Sequence, residues 1–410
     1  MSLKRVVITG LGAVSPLGGD VPALMAGLAA GRSAVRRMDG WEKYLGLRSL
    51  VAAPAELRDE KKIPRESRRS MGRMSIFAVQ ACQQALTDAG LDPTSLGSGR
   101  AACVIGSTMG SSESLVQTFE TILPDHDLTK LTSMKFFQCV SHTAMMNVAQ
   151  YLGITGYAMA TSAACASGLQ AVGAGYDLIR LGRQDCALCG GAEELHPTVT
   201  GSFDVLFAAS AGFNDQPTRT PRPFDRDRDG LVCGEGCGIV LLEEYEHARR
   251  RNARIYAEVI GYHSCSSGSH VSHSDRDAMA RCMREAMAEA RIGSGDVDYL
   301  NAHATGTLQG DREEAEAVRE VFGDGVPVSS LKGYLGHTLG ASGAIELIAA
   351  MKMLETGVLY PTLNLEHISP ECAGIRHLTQ RLETSANVLV KNSFAFGGIN
   401  AVLVCRRAAG

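Results

Sequence analysis

The sequence has little excess charge and none of it positive: 40 Lys plus Arg stand against 44 Asp plus Glu, a formal net charge of −4. A chain without surplus positive charge lacks the electrostatic footprint of a nucleic-acid binder. The basic run from Lys61 to Arg73 is not interleaved with the aromatics that stack on single-stranded bases. No apolar stretch reaches the roughly 18 residues that a membrane helix needs. The start, Met1-Ser2-Leu3-Lys4-Arg5, leads into a short apolar run ending at Gly10 and lacks a signal-peptide hydrophobic region and cleavage site. The expected location is therefore the cytoplasm, with no membrane and no nucleic acid as partner. The twelve cysteines have no disulfide-framework spacing and read as mostly reduced, buried side chains. No linker divides the chain.

What is present is ordinary globular composition, 45% apolar and 20% charged, with 45 glycines that imply tight turns and close backbone approaches. Strand-like runs alternate with helical patterns. Val6–Thr9, Ala102–Ile105, Cys186–Cys189, Gly238–Leu242, Ile255–Ile260, Val297–Asn301, Val326–Ser329, Val388–Ser393 and Ala401–Cys405 read as strands. Ser75–Ala89, the Leu169-to-Ile179 stripe, Ala278–Ala290, Asp311–Phe322 and Ala344–Leu354 read as helices, the fourth opened by the capping-box spacing of Asp311 and Glu314. The alternation predicts an α/β fold. Arg249-Arg250-Arg251-Asn252 is the nearest thing to a seam, giving halves 1–252 and 253–410. A short echo, Ala166-Ser167-Gly168 and Ala341-Ser342-Gly343 at two helix starts, fits two similar halves.

Thr161 to Gly168 places Cys165 among small residues at a strand-to-helix turn. Helix N-terminal N–H groups stabilise an anion there, so the thiol pKa is expected to fall. A buried packing cysteine is the other reading of the same residue. Two glycine-lined histidine segments bear on the choice: Asn301-Ala302-His303-Ala304-Thr305-Gly306-Thr307 and Lys332-Gly333-Tyr334-Leu335-Gly336-His337. Each histidine follows a predicted strand, where open α/β sheets place ligands and catalysts.

Cys165, His303, Lys332 and His337 together resemble the decarboxylating β-ketoacyl-acyl-carrier-protein synthases, condensing enzymes of the thiolase fold. The likeness runs almost end to end, through Val7-Ile8-Thr9-Gly10-Leu11-Gly12, Arg222-Pro223-Phe224-Asp225, Gly234-Glu235-Gly236 and Lys391 to Gly398. It implies two similar α/β halves in a five-layer αβαβα arrangement. It implies that Cys165 takes an acyl group as a thioester, and that His303 and His337 assist decarboxylation of malonyl-carrier protein and hold the enolate. The carbanion then attacks the thioester, giving a β-ketoacyl product two carbons longer. The N–H groups of Cys165 and Phe396 would form the oxyanion hole, Lys332 would add positive charge, and Glu346 would support it. Thr305 and Thr307 match positions that bind the phosphopantetheine arm, Phe396 the gate, and Met109 a position that sets acyl-pocket depth. Arg65, Arg68 and Arg69 fall where the family docks its acyl carrier protein, with Lys130 and Lys135 as weaker candidates. The family also implies a homodimer, with no metal and no diffusible cofactor.

Ala304, Leu308, Ala395 and Ile399 depart from the usual Gly, Pro, Gly and Thr, and His263–His273 departs as a segment. These differences bear on substrate more than on reaction. A ketosynthase subunit of a polyketide or polyene pathway is the alternative. A non-catalytic chain-length partner is opposed by the intact Cys165, and a thiolase by the paired histidines. Gly10-Leu11-Gly12 fails as a dinucleotide motif because Ser15 occupies the third glycine position. Cys186-Ala187-Leu188-Cys189 reads as buried strand, and His270 with His273 as a loop pair without a third metal ligand.

Overall fold

The computed structural model describes residues 3–408. The main sheet has eleven strands. They are β1 (Val6–Val14), β2 (Ala101–Gly106), β3 (Ala158–Met159), β4 (Cys186–Glu193), β5 (Gly236–Glu244), β6 (Ala257–Ser266), β7 (Tyr299–Asn301), β8 (Pro327–Ser329), β9 (Arg376–His377), β10 (Val388–Ala395) and β11 (Ile399–Arg407). The helices that build the layers are α1 (Arg73–Ala89), α2 (Ser167–Arg180), α3 (Arg276–Ala290), α4 (Leu308–Phe322) and α5 (Ser342–Thr356).

The strand order is β9-β8-β7-β10-β11-β6-β1-β5-β4-β2-β3. One pattern occurs twice in it. β1 pairs antiparallel with β5 and β5 antiparallel with β4; β4 then pairs parallel with β2 and β2 parallel with β3. In the second half β6–β11, β11–β10, β10–β7 and β7–β8 repeat those four senses in the same order. A short antiparallel pairing, from Val6↔Val259 to Ile8↔Ala257, joins the two sets.

Strands buried on both faces send alternate side chains into different cores. On β5, Val240 and Leu242 enter the central core, while Ile239 and Leu241 enter an outer one. The central core holds α2 and α5 between strands of both halves. α1 fills the outer core of the first half, and α3 with α4 that of the second. The resulting order of helix, strand, helix, strand and helix is the five-layer thiolase-like arrangement.

Small residues at the layer contacts permit this spacing. α2 and α5 both start on a serine after an alanine N-cap, Ala166 and Ala341. Near that junction a Cβ on Gly168 would stand 2.4 Å from the Gly340 carbonyl oxygen. The glycines of the failed dinucleotide motif do similar work: they lie inside β1, where α1 crosses.

The sequence places most elements within a few residues. β1 and β6 run on to Val14 and Ser266, past the expected ends at Thr9 and Ile260, and the start of α4 differs for a physical reason. α4 begins at Leu308 with Thr307 as its N-cap, three positions before Asp311. Asp311 and Glu314 do not form a capping box; their carboxylates bond backbone N–H groups outside the helix.

The close approach of α1 to β1 gives a stability prediction. A Cβ on Gly12 would lie 1.9 Å from the Ala81 carbonyl oxygen, whereas one on Gly295 meets nothing within 4 Å. Gly12→Ala should destabilise the protein by about 1–3 kcal/mol, the usual range for overpacking. Gly295→Ala should stay within about 0.5 kcal/mol of wild type, as surface changes do. Urea unfolding of both variants measures the difference.

Candidate active site

Cys165 lies just before the N-cap of α2, in a turn where Ala164 has φ of 46°. That left-handed conformation costs an alanine about 1 kcal/mol or more. Local bonds hold it. The Ser167 hydroxyl accepts from Ala163 N–H (2.8 Å) and donates to the Ala164 carbonyl (2.6 Å). From β10, the Ser393 hydroxyl donates to the Cys165 carbonyl (3.0 Å).

The second half supplies the opposite wall. Glu314 accepts from His303 N–H (2.8 Å) and Ala304 N–H (2.6 Å), and Asn392 Nδ2 donates to the same carboxylate (3.0 Å). Asp311 accepts from Thr305 N–H (3.0 Å) and Gly306 N–H (3.1 Å). The two acids thus fix the His303 loop from the first turns of α4. His337 is held by the central glycine motif: its N–H donates to the Val232 carbonyl (2.7 Å), and its carbonyl accepts from Gly234 N–H (2.8 Å).

These constraints bring the Cys165 sulfur and ring nitrogens of His303 and His337 within 4.8 Å of one another, all buried. The imidazole centroids are 5.2 Å apart with planes at 80°. His303 Nδ1 and both ring nitrogens of His337 have no protein partner. Such buried, unpaired groups carry a free-energy cost, and groups left in that state cluster at functional sites. A cavity of about 350 Å³ meets the three residues and is also lined by Thr305, Thr307 and Phe396. The two threonine hydroxyls are 3.1 Å apart. The Phe396 ring lies 6.0 Å from that of Phe203, across the space beside the cysteine.

Behind the histidines, Lys332 Nζ donates to Glu346 Oε1 (2.6 Å) and Lys391 Nζ to Glu346 Oε2 (2.7 Å), with all three side chains at most 1% exposed. Two ammonium groups on one carboxylate leave a local positive excess. Burial, then the charge of Lys332, holds both imidazoles well below their ordinary pKa. They are neutral at pH 7 and each can give or take a proton. Burial also lowers Lys391 to about 8.

The Cys165 thiol corrects the sequence expectation. Burial pushes it up to about 12, with Lys332 opposing. The helix terminus does not outweigh the loss of water, so the resting sulfur is held as a thiol. Among the described residues Cys165, His303 and His337 are the only group of metal-ligating side chains so close together. A cation there would meet the positive excess of Lys332 and Lys391.

The remaining predicted residues are dispersed. Met109 is outside the cavity and 44% exposed in the single chain, with its N–H on Glu193. Arg65 and Arg69 are exposed, whereas Arg68 turns its Nε onto the Ile63 carbonyl (2.9 Å). Arg73 leaves the basic run altogether and pairs with the buried Glu235 (2.8 Å). Lys130 pairs with Asp125 and Lys135 donates to Gln117. Cys186 and Cys189 are core residues of β4. His270 and His273 stack at 4.5 Å in an exposed loop. Sequence reasoning missed the parts played by Glu314, Asp311, Lys391, Asn392 and Ser393. The readable signal was an acid, Glu314, among Ala315, Ala317 and Val318 on the buried face of α4.

Two family models match the chain. The β-ketoacyl synthase N-terminal domain matches residues 3–248 and the β-ketoacyl synthase C-terminal domain matches 256–366. The chain belongs to the β-ketoacyl synthase family and is an acyltransferase of that family. It is 36% identical over 407 residues to 3-oxoacyl-[acyl-carrier-protein] synthase 1 of Escherichia coli (strain K12), covering 99% of each chain. A crystal structure of a β-ketoacyl synthase from Burkholderia phymatum STM815 superposes with a TM-score of 0.95 at 42% identity, covering 99% of this chain and 100% of that one. A type II polyketide ketosynthase, AntDE, solved in complex with the acyl-carrier protein AntF and bound to the hexaketide, matches with a TM-score of 0.92 at 31% identity and 100% coverage of both chains.

The buried histidines predict a pH effect. Their folded pKa lies below the unfolded value of 6.5, so unfolded chains bind more protons in that window. Their contribution to stability is full above about pH 6.5 and is lost as pH falls toward the folded pKa. Glu194, raised to about 7, and Asp311, raised to about 6, act in the opposite sense, so a difference measurement is needed. Between about pH 6 and 5, wild type should lose up to ~1.4 kcal/mol per pH unit relative to His337→Asn in urea unfolding. Parallel curves for the two proteins would contradict the neutral, buried assignment.

Proposed function

We propose that the chain catalyses decarboxylative Claisen condensation on carrier-protein thioesters, extending an acyl chain by two carbons, and that it serves fatty-acid synthesis. The observation that carries this reading is the buried cluster of Cys165, His303 and His337 with unpartnered ring nitrogens. Cys165 Sγ attacks the incoming thioester carbonyl as its proton passes to a neutral imidazole, and the pantetheine thiol leaves. Malonyl-carrier protein then enters. Its carboxylate carbon–carbon bond breaks, carbon dioxide leaves, and the electron pair forms an enolate whose oxygen takes hydrogen bonds from His303 and His337. The enolate carbon attacks the Cys165 thioester, and collapse of the tetrahedral intermediate expels the sulfur. N–H groups of Cys165 and Phe396 serve as the oxyanion hole, and Phe396 opens the acyl pocket. Lys332 and Glu346 position the histidine side, and Thr305 and Thr307 hold the arm.

Thioester and β-carboxylate supply the driving force, so the reaction needs no metal or diffusible cofactor. The carrier docks beside Arg65 and Arg69, a reading supported by their exposure and by the ketosynthase complex with its carrier. A homodimer is supported by exposed Met109, Phe119, Leu123, Phe136 and Tyr157 and by the unpaired edge of strand β3. Met109 bounds the acyl pocket in that assembly. The halves divide at 252/253, close to the gap between the two family models. Twelve free cysteines suit a reducing compartment, the cytoplasm. A polyketide ketosynthase paired with a second subunit is the other reading, favoured by the match to the hexaketide-bound ketosynthase.

Cys165→Gln should abolish condensation while malonyl-carrier protein still loses carbon dioxide, followed by mass spectrometry of the carrier. His303→Ala and His337→Ala should each slow decarboxylation by about 10²-fold or more, the range for a lost acid–base group. If decarboxylation is indifferent to both histidines, the assignment fails. For docking, Arg65→Glu with Arg69→Glu should raise KM for carrier substrates about tenfold, equivalent to ~1.4 kcal/mol, and spare small acyl thioesters. Equal effects on both substrate types would remove the docking surface.

A further inference from the structure

Two cysteines that condensation does not use face each other in the second half. Cys265 lies near the end of β6, and Cys282 lies in the second turn of α3. The Cys265 thiol donates to the Ala278 carbonyl (3.6 Å), which is four residues before Cys282 on the helix. The Cys282 thiol donates to the His263 carbonyl (3.4 Å), two residues before Cys265 on the strand. Each sulfur therefore rests against the other's own stretch of backbone. Helix and strand approach closely here because their contact residues are small: a Cβ on Gly261 would stand 2.3 Å from the Ala286 carbonyl oxygen. Such proximity suits the short Cα separation of a disulfide.

The two thiols differ in character. Cys282 is fully buried and Cys265 only partly. The neighbouring Cys282 side chain and the Arg281 guanidinium lower the Cys265 pKa against its partial burial, which favours the nucleophilic thiolate. Arg281 is fixed nearby by donating to the Ser266 carbonyl (3.1 Å).

The segment between the cysteines touches the gate. Ser267 N–H donates to the Gly398 carbonyl (2.9 Å), and Gly397 N–H donates to the Val271 carbonyl (2.7 Å). Ser272, His273, Ser274 and Met279 line the active-site cavity. The segment is a strap across the turn that carries Phe396.

We propose that a hydroperoxide converts Cys265 and Cys282 into a reversible disulfide that ties both ends of this strap and restrains the gate turn. The Cys265 thiolate attacks one peroxide oxygen. The O–O bond breaks, leaving a sulfenic acid on Cys265, and the departing oxygen takes a proton to leave as water or alcohol. Cys282 sulfur then attacks the sulfenic sulfur, the S–S bond forms, and hydroxide leaves with the Cys282 proton as water. The two thiols lose two electrons and two protons in total, and the peroxide is the species reduced. A dithiol restores the open state. Cys165 does not take part; its raised pKa makes it the poorer resting thiolate.

The test treats full-length wild-type protein with hydrogen peroxide, alkylates residual thiols after denaturation, and maps the peptides. The expected product is a Cys265–Cys282 linked peptide that dithiothreitol removes. Turnover of carrier-borne substrates should fall several-fold on oxidation and return with dithiothreitol. Cys282→Ser should give no linked peptide, and dimedone should trap a sulfenic acid on Cys265. Cys265 remaining fully alkylatable at doses that oxidise other cysteines would overturn the proposal. So would a linked peptide without reversible loss of turnover. The activity arm rests on the proposed condensation and the mapping does not, so absent turnover before oxidation would count against the condensation alone.

Discussion

The site depends on one buried carboxylate. Glu346 on α5 takes Lys332 on one oxygen and Lys391 on the other, both excluded from water. Isolated buried pairs often return little net stability, because desolvation offsets their attraction, while removing one partner is costly. Here the arrangement does something an apolar cluster could not. It joins α5, the turn that leads to His337, and β10, which continues into Ser393 and its bond to Cys165. It also leaves positive charge beside two imidazoles already stripped of water, which keeps them neutral. Histidines in that state can act as acids or bases near pH 7, and a thiol with raised pKa requires such neighbours.

Duplication explains how the parts meet. Both halves use the same strand order and senses, and both send a helix into the central layer. The first half contributes Cys165 at the start of α2; the second contributes His303, His337 and the carboxylates that hold their surroundings. Neither half holds a complete site. The close junction of the two helix starts, where a Cβ on Gly168 would meet the Gly340 carbonyl, therefore sets the approach of the two halves as well as packing.

Much of this was legible in the sequence. Alternating periodicities gave most strands and helices, and the small-residue setting of Cys165 with two glycine-flanked histidines gave the three side chains that cluster in the fold. What was hidden depends on tertiary surroundings. Asp311 and Glu314 have the spacing of a local cap, yet they serve a loop that folding brings back over α4. Arg73 sits in a basic run, but Glu235 draws it inward. The helix terminus argued for an acidic thiol at Cys165, and burial reversed the sign. Met109 is exposed and lies outside the cavity, so nothing in the chain's own packing marks the pocket role that the resemblance implies.

The central claim is that Cys165 carries the acyl chain while His303 and His337 process the malonyl unit. Intact-mass spectrometry of the enzyme offered a ladder of acyl-carrier proteins, with the modified peptide mapped, tests it most directly. The account predicts a single acyl adduct on Cys165, with a preferred chain length that distinguishes fatty-acid from specialised substrates. No adduct on any rung, with folded protein and a working control enzyme, or an adduct on another residue, would contradict it.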